Sequence, residues 1–359
     1  MTAAADASLA RWATQDEVPV IDLTPLRDGA PDAVDRLARQ VHDACRDTGF
    51  FTVTNHGVPA PAIRAVFEAS RRFFALPLEV RMWLHMGLSD SFRGYLPIER
   101  AGESKYLRGE AVPGFQLHLS EPNRDLLKDR FNNLNDAFQI SAELPRDDPD
   151  VRAGKPLHGP NLWPDLPDFR APLLAYYDLM REFALDMARV FARGLGVEPD
   201  HFTRHFCKPL MQLRLLRYQA QPAEAALKSG ASAAHCDGGG FTLLQQDGTG
   251  GLEIQTRAGE WVVVPPVENS FVVNIGDSMK LWTNNRFAST RHRVVNRYGT
   301  ERYSVGFFAN PDYDAVITPV PTCVDADNPP RFERLAFGPA MLFLYSRIWP
   351  STAVTAPAE

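Results

Sequence analysis

His235, Cys236 and Asp237 form the only His-x-Asp or His-x-Glu string in the chain. Residues two apart on a β-strand share a face, so His235 and Asp237 can address one ion while Cys236 turns away. Gly238, Gly239 and Gly240 follow at once, as expected where backbone bends sharply at a cavity mouth. Two ligands do not hold a catalytic metal. His292 is the best third, because it lies in another β-type segment, Ala288 to Val295. Two histidines and a carboxylate on one sheet leave three metal positions open, the facial arrangement of non-haem Fe(II) sites. Taken alone, the pair fits a solvated strand end about as well, and a lone histidine is more often structural. His42, His85, His118, His158, His201 and His205 have no comparable setting and read as structural or exposed.

Ten residues beyond His292 stands Arg302-Tyr303-Ser304. Arg302 and Ser304 again share a strand face. A guanidinium presents a planar fork to a carboxylate, and a hydroxyl adds a donor. Near a metal, such a pair would hold the far carboxylate of an acid whose other end chelates the ion. Tyr218 is a candidate for a second hydroxyl. Without the His-x-Asp, the same pair would read as an exposed edge-strand Arg and Ser.

These residues need strands to present them and helices to cover the strands. Val34, Leu37, Val41 and Cys45 recur at helical spacing between Pro31 and Thr48, and Gly49 is a plausible stop. Phe50 to Thr54 reads as a strand. Helices are expected from about Pro61 to Phe74 and from about Pro172 to Gly194. Residues Gly87 to Asp168 are rich in turn formers and read as a long irregular stretch, which in a compact domain is functional or disordered. After Pro209 the period changes. Short apolar runs, among them Phe241–Leu244, Leu252–Ile254, Trp261–Val264, Phe271–Ile275 and Tyr303–Phe308, are separated by Gly, Asn and Pro, the rhythm of an antiparallel sandwich or jelly roll. Residues Arg331 to Ile348 return to helix.

The chain has 359 residues, enough for one large core. Its net charge of −6 and its lack of a basic block argue against nucleic acid as a partner. No apolar run is long enough for a membrane span, and charged residues interrupt the N-terminus before a signal-peptide core could form. Four scattered cysteines without a CxxC suggest a reducing, cytoplasmic location.

The order His-x-Asp, His, Arg-x-Ser resembles the Fe(II)/2-oxoglutarate-dependent dioxygenases, in the isopenicillin N synthase-like branch. Further segments match in order. Val18 to Leu23 resembles the family's opening strand, and Gly49-Phe50-Phe51 with Asn55-His56-Gly57-Val58 its N-terminal signature. Gly250 to Ile254, Asn274 to Asp277 and Ser289 to Val294 then follow the core. Relatives often carry an Asn-Tyr-Tyr-Pro run where this chain has Leu216-Arg217-Tyr218-Gln219.

The resemblance implies an α+β fold, a distorted double-stranded β-helix (jelly roll) flanked by helices mainly from the N-terminal half. The expected organisation is a flexible N-terminus (1–17), a mostly helical region packed on the core (18–208), the jelly-roll core (209–312), a C-terminal extension with a helix (313–350) and a disordered tail (351–359). It implies His235, Asp237 and His292 as Fe(II) ligands, with Arg302, Ser304 and Tyr218 on 2-oxoglutarate. O2 is the other co-substrate. A C–H bond of a small molecule of specialised metabolism would be oxidised, most simply hydroxylated, with release of succinate and CO2. Comparable segments of relatives make Arg93, Tyr95, Phe115, Leu117 and Phe308 substrate candidates, Arg93 facing a substrate carboxylate.

Three alternatives stay open. The Arg-x-Ser pair holds a substrate carboxylate in isopenicillin N synthase, which uses no 2-oxoglutarate, and a related oxidase uses ascorbate. Zn(II) hydrolases also use two histidines and a carboxylate, commonly as His-Glu-x-x-His, which is absent here. A non-catalytic jelly-roll binding protein should have lost part of the triad or anchor. The oligomeric state and the substrate's identity are not readable.

Overall fold

The computed structural model describes residues 10–89, 91–98, 135–222 and 231–348. The strands that build the site are, in chain order, β1 (Arg11–Trp12), β2 (Val20–Asp22), β3 (Phe50–Thr54), β4 (Gly94–Leu96), β5 (Asn135–Ser141), β6 (Gln212–Tyr218), β7 (Ser232–His235), β8 (Phe241–Gln246), β9 (Leu252–Gln255), β10 (Trp261–Val263), β11 (Phe271–Ile275), β12 (His292–Val294) and β13 (Arg302–Ala309). They form an eight-stranded sheet, β2-β3-β11-β8-β13-β6-β5-β4, and a five-stranded sheet, β1-β10-β9-β12-β7. Antiparallel pairing dominates; β1 with β10 and β2 with β3 are parallel. This is the expected α+β jelly roll.

Alternation along each strand sorts side chains between two faces. On the outer face of the large sheet, Phe241, Phe271 and Phe307 pack against the long helix α3 (Arg170–Gly194), through Phe191, Phe183 and Tyr177 respectively. Helices α1 (Pro31–Asp47) and α2 (Ala60–Phe74) lean on α3 in turn. The stripe read from the sequence is the buried one: Leu37, Val41 and Cys45 of α1 are inside. Gly49, past the end of α1, has φ +67°. A Cβ there would run into the Ala288 carbonyl, so only glycine lets β3 start against that loop.

Three expectations are corrected. The stretch from Gly87 to Asp168 is not wholly irregular, since β4 and β5 complete one side of the large sheet. All seven residues of β5 are buried, polar ones included. Asp136 survives there because Arg81 and Arg217 each donate to its Oδ2 at 2.6 Å. A buried charge needs such partners, and they come from distant parts of the chain. The N-terminus is not loose up to residue 17, because Arg11 and Trp12 pair with Val262 and Val263. Four strands of the large sheet thus precede residue 209. The C-terminal helix α5 (Phe337–Ile348) begins later than expected, and a six-residue helix, α4 (Asp277–Trp282), follows β11. Residues 351–359 lie outside the described residues. Among those described, no helix is long and apolar enough to cross a membrane.

Candidate metal centre

β7 and β12 are antiparallel neighbours, and their register sets His235 directly opposite His292. The two rings lie 4.4 Å apart, centroid to centroid. Asp237 follows β7 in the turn to β8, and its Oδ1 is 3.6 Å from His235 Nε2 and 3.7 Å from His292 Nε2. One ligand atom from each residue falls within 4.8 Å of the others, close enough for one ion to meet all three. Cys236 is buried and points away.

The rings are oriented from behind. His235 Nδ1 is 2.8 Å from the Ala233 carbonyl and His292 Nδ1 is 3.1 Å from that of Thr290. A ring nitrogen facing a carbonyl must carry the proton, which leaves the Nε2 lone pairs for the shared space. Asp237 Oδ2 accepts from Thr242 Oγ1 at 2.5 Å and from Asn274 Nδ2 at 2.7 Å. Thr242 and Asn274 belong to the large sheet, so the centre lies between the two sheets and is tied to both. The turn carrying Asp237 is equally close-packed. A Cβ on Gly276 would strike the Gly239 carbonyl, while the Asp277 amide donates to the Asp237 carbonyl at 2.7 Å.

Without a metal, burial disfavours charge on all three groups. In Asp237 the neighbouring histidines and the Thr242 hydroxyl overcome burial and hold the acid well below the usual carboxylate range. Burial together with the nearby His235 lowers His292 to about 4, despite the pull of Asp237. In His235 burial is outweighed by its hydrogen bond and charge interaction with Asp237, and the net shift is upward. A carboxylate and two imidazoles with inward lone pairs suit a divalent ion that takes nitrogen and oxygen.

Arg302 is wholly buried at the start of β13. Its Nε donates to the Gly250 carbonyl at 2.6 Å and its Nη2 to Gln246 Oε1 at 2.9 Å. Nη1 reaches Ser304 Oγ at 3.4 Å. Tyr218 stands opposite on β6, its ring centre 4.6 Å from the guanidinium carbon. The expected grouping of Arg302, Ser304 and Tyr218 is therefore present.

The family model described as the 2OG-Fe(II) oxygenase superfamily matches residues 209–311, and that of the non-haem dioxygenase in morphine synthesis N-terminal region matches residues 18–166. A 2-oxoglutarate-Fe(II) type oxidoreductase of Emericella nidulans is 34% identical over 88% of this chain and 85% of its own length. The chain belongs to the 2-oxoglutarate–Fe(II) oxygenases. Clavatol oxidase of Penicillium crustosum is 36% identical over 84% of this chain and 88% of its own. A putative 2OG-Fe(II) oxygenase of Caulobacter crescentus superposes with a TM-score of 0.74 at 26% identity, over 92% of this chain and 99% of that one. Fe(II) and 2-oxoglutarate are thus the cofactor and co-substrate of this oxygenase, which decides against the hydrolase and binding-protein alternatives.

The substrate candidates fare unevenly. Arg93 is buried, and both of its terminal nitrogens bond inside the protein. Nη1 bonds the carbonyls of Ala142 at 3.1 Å and Gly159, and Asn161 Oδ1 at 3.3 Å, while Nη2 bonds the Leu157 carbonyl at 3.2 Å. It ties β4 to the 157–161 segment. Tyr95 turns to the outer face, where its hydroxyl accepts from Arg81 at 2.8 Å and its ring packs on Phe73. Strand alternation removes it from the cavity. Phe308 faces inward opposite Thr242, and Phe307 outward. Phe115 and Leu117 lie outside the described residues. Two surface clefts, of about 740 and 660 Å³, contain no member of the triad.

The sequence reading missed the supporting layer: Thr242, Asn274, Gln246 and the Gly250 carbonyl. Thr242 and Gln246 sit at even steps from one another on β8, a signal that identifies a shared face only once the inner face is known.

Proposed function

We propose that His235, Asp237 and His292 hold the Fe(II) of this oxygenase and that Arg302, Ser304 and Tyr218 receive the C5 carboxylate of 2-oxoglutarate. The observation that carries the reading is the convergence of three ligand atoms within 4.8 Å, each oriented by its own hydrogen bond. When bound, iron, 2-oxoglutarate and O2 supply an oxidation in which the 2-oxo acid leaves as succinate and CO2 and a substrate C–H bond is oxidised.

The protein's own residues do the positioning. Gln246 and the Gly250 carbonyl fix the Arg302 fork, so its remaining N–H edge and the Ser304 hydroxyl meet a carboxylate without reorganisation. Thr242 and Asn274 hold one oxygen of Asp237 and so direct the other toward the histidines. Burial of Arg302 strengthens its attraction for an anion by excluding water. The substrate is a small molecule, and hydroxylation in specialised metabolism is the reading we favour. Its support is the resemblance to proteins such as clavatol oxidase.

Anaerobic titration of the Fe(II)-loaded protein with 2-oxoglutarate, following the weak visible charge-transfer band of the chelate, tests the assignment. The band should vanish in His235→Ala and require much more ligand in Arg302→Ala. A wild type that binds stoichiometric iron without the band would overturn the anchor.

A further inference from the structure

We propose that Ser278 and Asn310 position the Asp237 ligand by pinning the turn that carries it, and so set how tightly this oxygenase holds Fe(II). The inference rests on the reading of His235, Asp237 and His292 given above.

The three ligands are not supported alike. His235 and His292 lie on β7 and β12, and the ladder between these strands sets them opposite one another. Asp237 lies beyond the end of β7, where ladder pairing has stopped, and β7 is itself an edge of the five-stranded sheet. Gly238, Gly239 and Gly240 then carry the chain to β8, and glycine gives a backbone its greatest freedom. Thr242 and Asn274 hold one oxygen of the Asp237 carboxylate. That carboxylate keeps a fixed aim only if the backbone beneath it is held as well.

Two buried side chains supply what the ladder does not. Ser278, in the first turn of α4, donates from Oγ to the Gly238 carbonyl at 2.7 Å. Its amide donates to the Gly239 carbonyl at 3.0 Å, beside the bond from Asp277 to Asp237 and one from the Gly276 amide to the Gly240 carbonyl at 2.8 Å. All four carbonyls from Asp237 to Gly240 are thus satisfied by residues 276–278. Asn310 follows the last residue of β13. Its Oδ1 accepts from the Gly240 amide at 3.2 Å, and its Nδ2 donates to the Leu210 carbonyl at 3.3 Å. A Cβ on Gly239 would run into Asn310 Oδ1, so this amide packs directly on the turn. Ser278 is 3% and Asn310 2% exposed. Removing either side chain leaves a buried carbonyl or amide without its partner, a cost the turn relieves by moving. Asp237 moves with the turn, whereas the two histidines stay in their ladder.

Fe(II) affinity, read anaerobically by competition with a chelator, tests the inference. Ser278→Ala and Asn310→Ala should each weaken Fe(II) binding about fivefold, the effect expected of one hydrogen bond, and the two together by more. Ser278→Thr, which restores the hydroxyl, should bind as wild type. In an Asp237→Ala protein, whose residual binding rests on the histidines, neither substitution should lower the affinity further. That comparison separates positioning of Asp237 from a general loosening of the fold, which would weaken the histidines as well. Wild-type affinity in the combined variant overturns the proposal, and so does a loss that persists at full size without Asp237. Should Asn310→Ala fail to fold, Ser278→Ala and Ser278→Thr, each with and without Asp237, still decide. Undiminished Fe(II) affinity in Asp237→Ala alone would overturn the ligand assignment, and the proposal with it; normal binding confined to the Ser278 and Asn310 variants would overturn the proposal only.

Discussion

Arg302 and Tyr218 face one another across β13 and β6, the guanidinium carbon 4.6 Å from the centre of the phenol ring. The ring stacks on a cation that is already fixed by Gly250 and Gln246, so it contributes orientation more than charge. Tyr218→Phe, which keeps the ring but loses the hydroxyl offered to the carboxylate, should raise 2-oxoglutarate half-saturation about threefold, and Tyr218→Ala, which loses the ring as well, roughly tenfold. Arg302→Lys keeps the charge but loses the fork, and should raise it about tenfold or more. The anaerobic chelate band measures all three.

The hydrogen bonds behind Asp237 predict metal affinity. Thr242→Ala and Asn274→Ala each remove one donor from Oδ2 and should weaken Fe(II) binding about tenfold or more, without touching a ligand. Thr242→Ser restores the hydroxyl and should bind nearly as wild type. Equilibrium dialysis against a competing chelator reads this directly, and normal retention of iron in both alanine variants would show the layer to be dispensable.

Arg93 separates a packing role from a substrate role. Arg93→Met leaves the carbonyls of Ala142, Leu157 and Gly159 without their donor. We expect a loss of about 2–4 kcal/mol in denaturant stability, with the 2-oxoglutarate-dependent band unchanged at low temperature. A stable variant with altered substrate affinity would return Arg93 to the site.

His56 predicts a pH dependence. Its Nδ1 accepts from the Val58 amide at 3.1 Å and its Nε2 lies 3.1 Å from the Asn269 carbonyl, so the neutral ring is satisfied on both sides. Burial lowers its pKa from the ordinary 6.5. The unfolded chain therefore takes up the proton first. The contribution of His56 is complete above pH 6.5 and is lost as pH falls from there toward the depressed folded value. His56→Asn should flatten the decline of stability between pH 7 and 5. His85, also lowered by burial, supplies a remaining slope in both proteins. Identical slopes in wild type and variant would refute the assignment.

The part of this arrangement that is legible in the chain alone is local and periodic. A spacing of two puts His235 with Asp237, and Arg302 with Ser304, because strand side chains alternate. Helical spacing placed Leu37, Val41 and Cys45 inside, because an amphipathic stripe must be buried. The remainder depends on partners distant in sequence. β5 was hidden because Asp136 and Gln139 look like surface residues until Arg81, Arg217 and Arg214 reach them. Arg93 looked available until four acceptors from residues 142–161 closed around it. Burying a polar group is permitted by whatever satisfies it, and in this protein the satisfying groups lie tens of residues away, where no short-range pattern points.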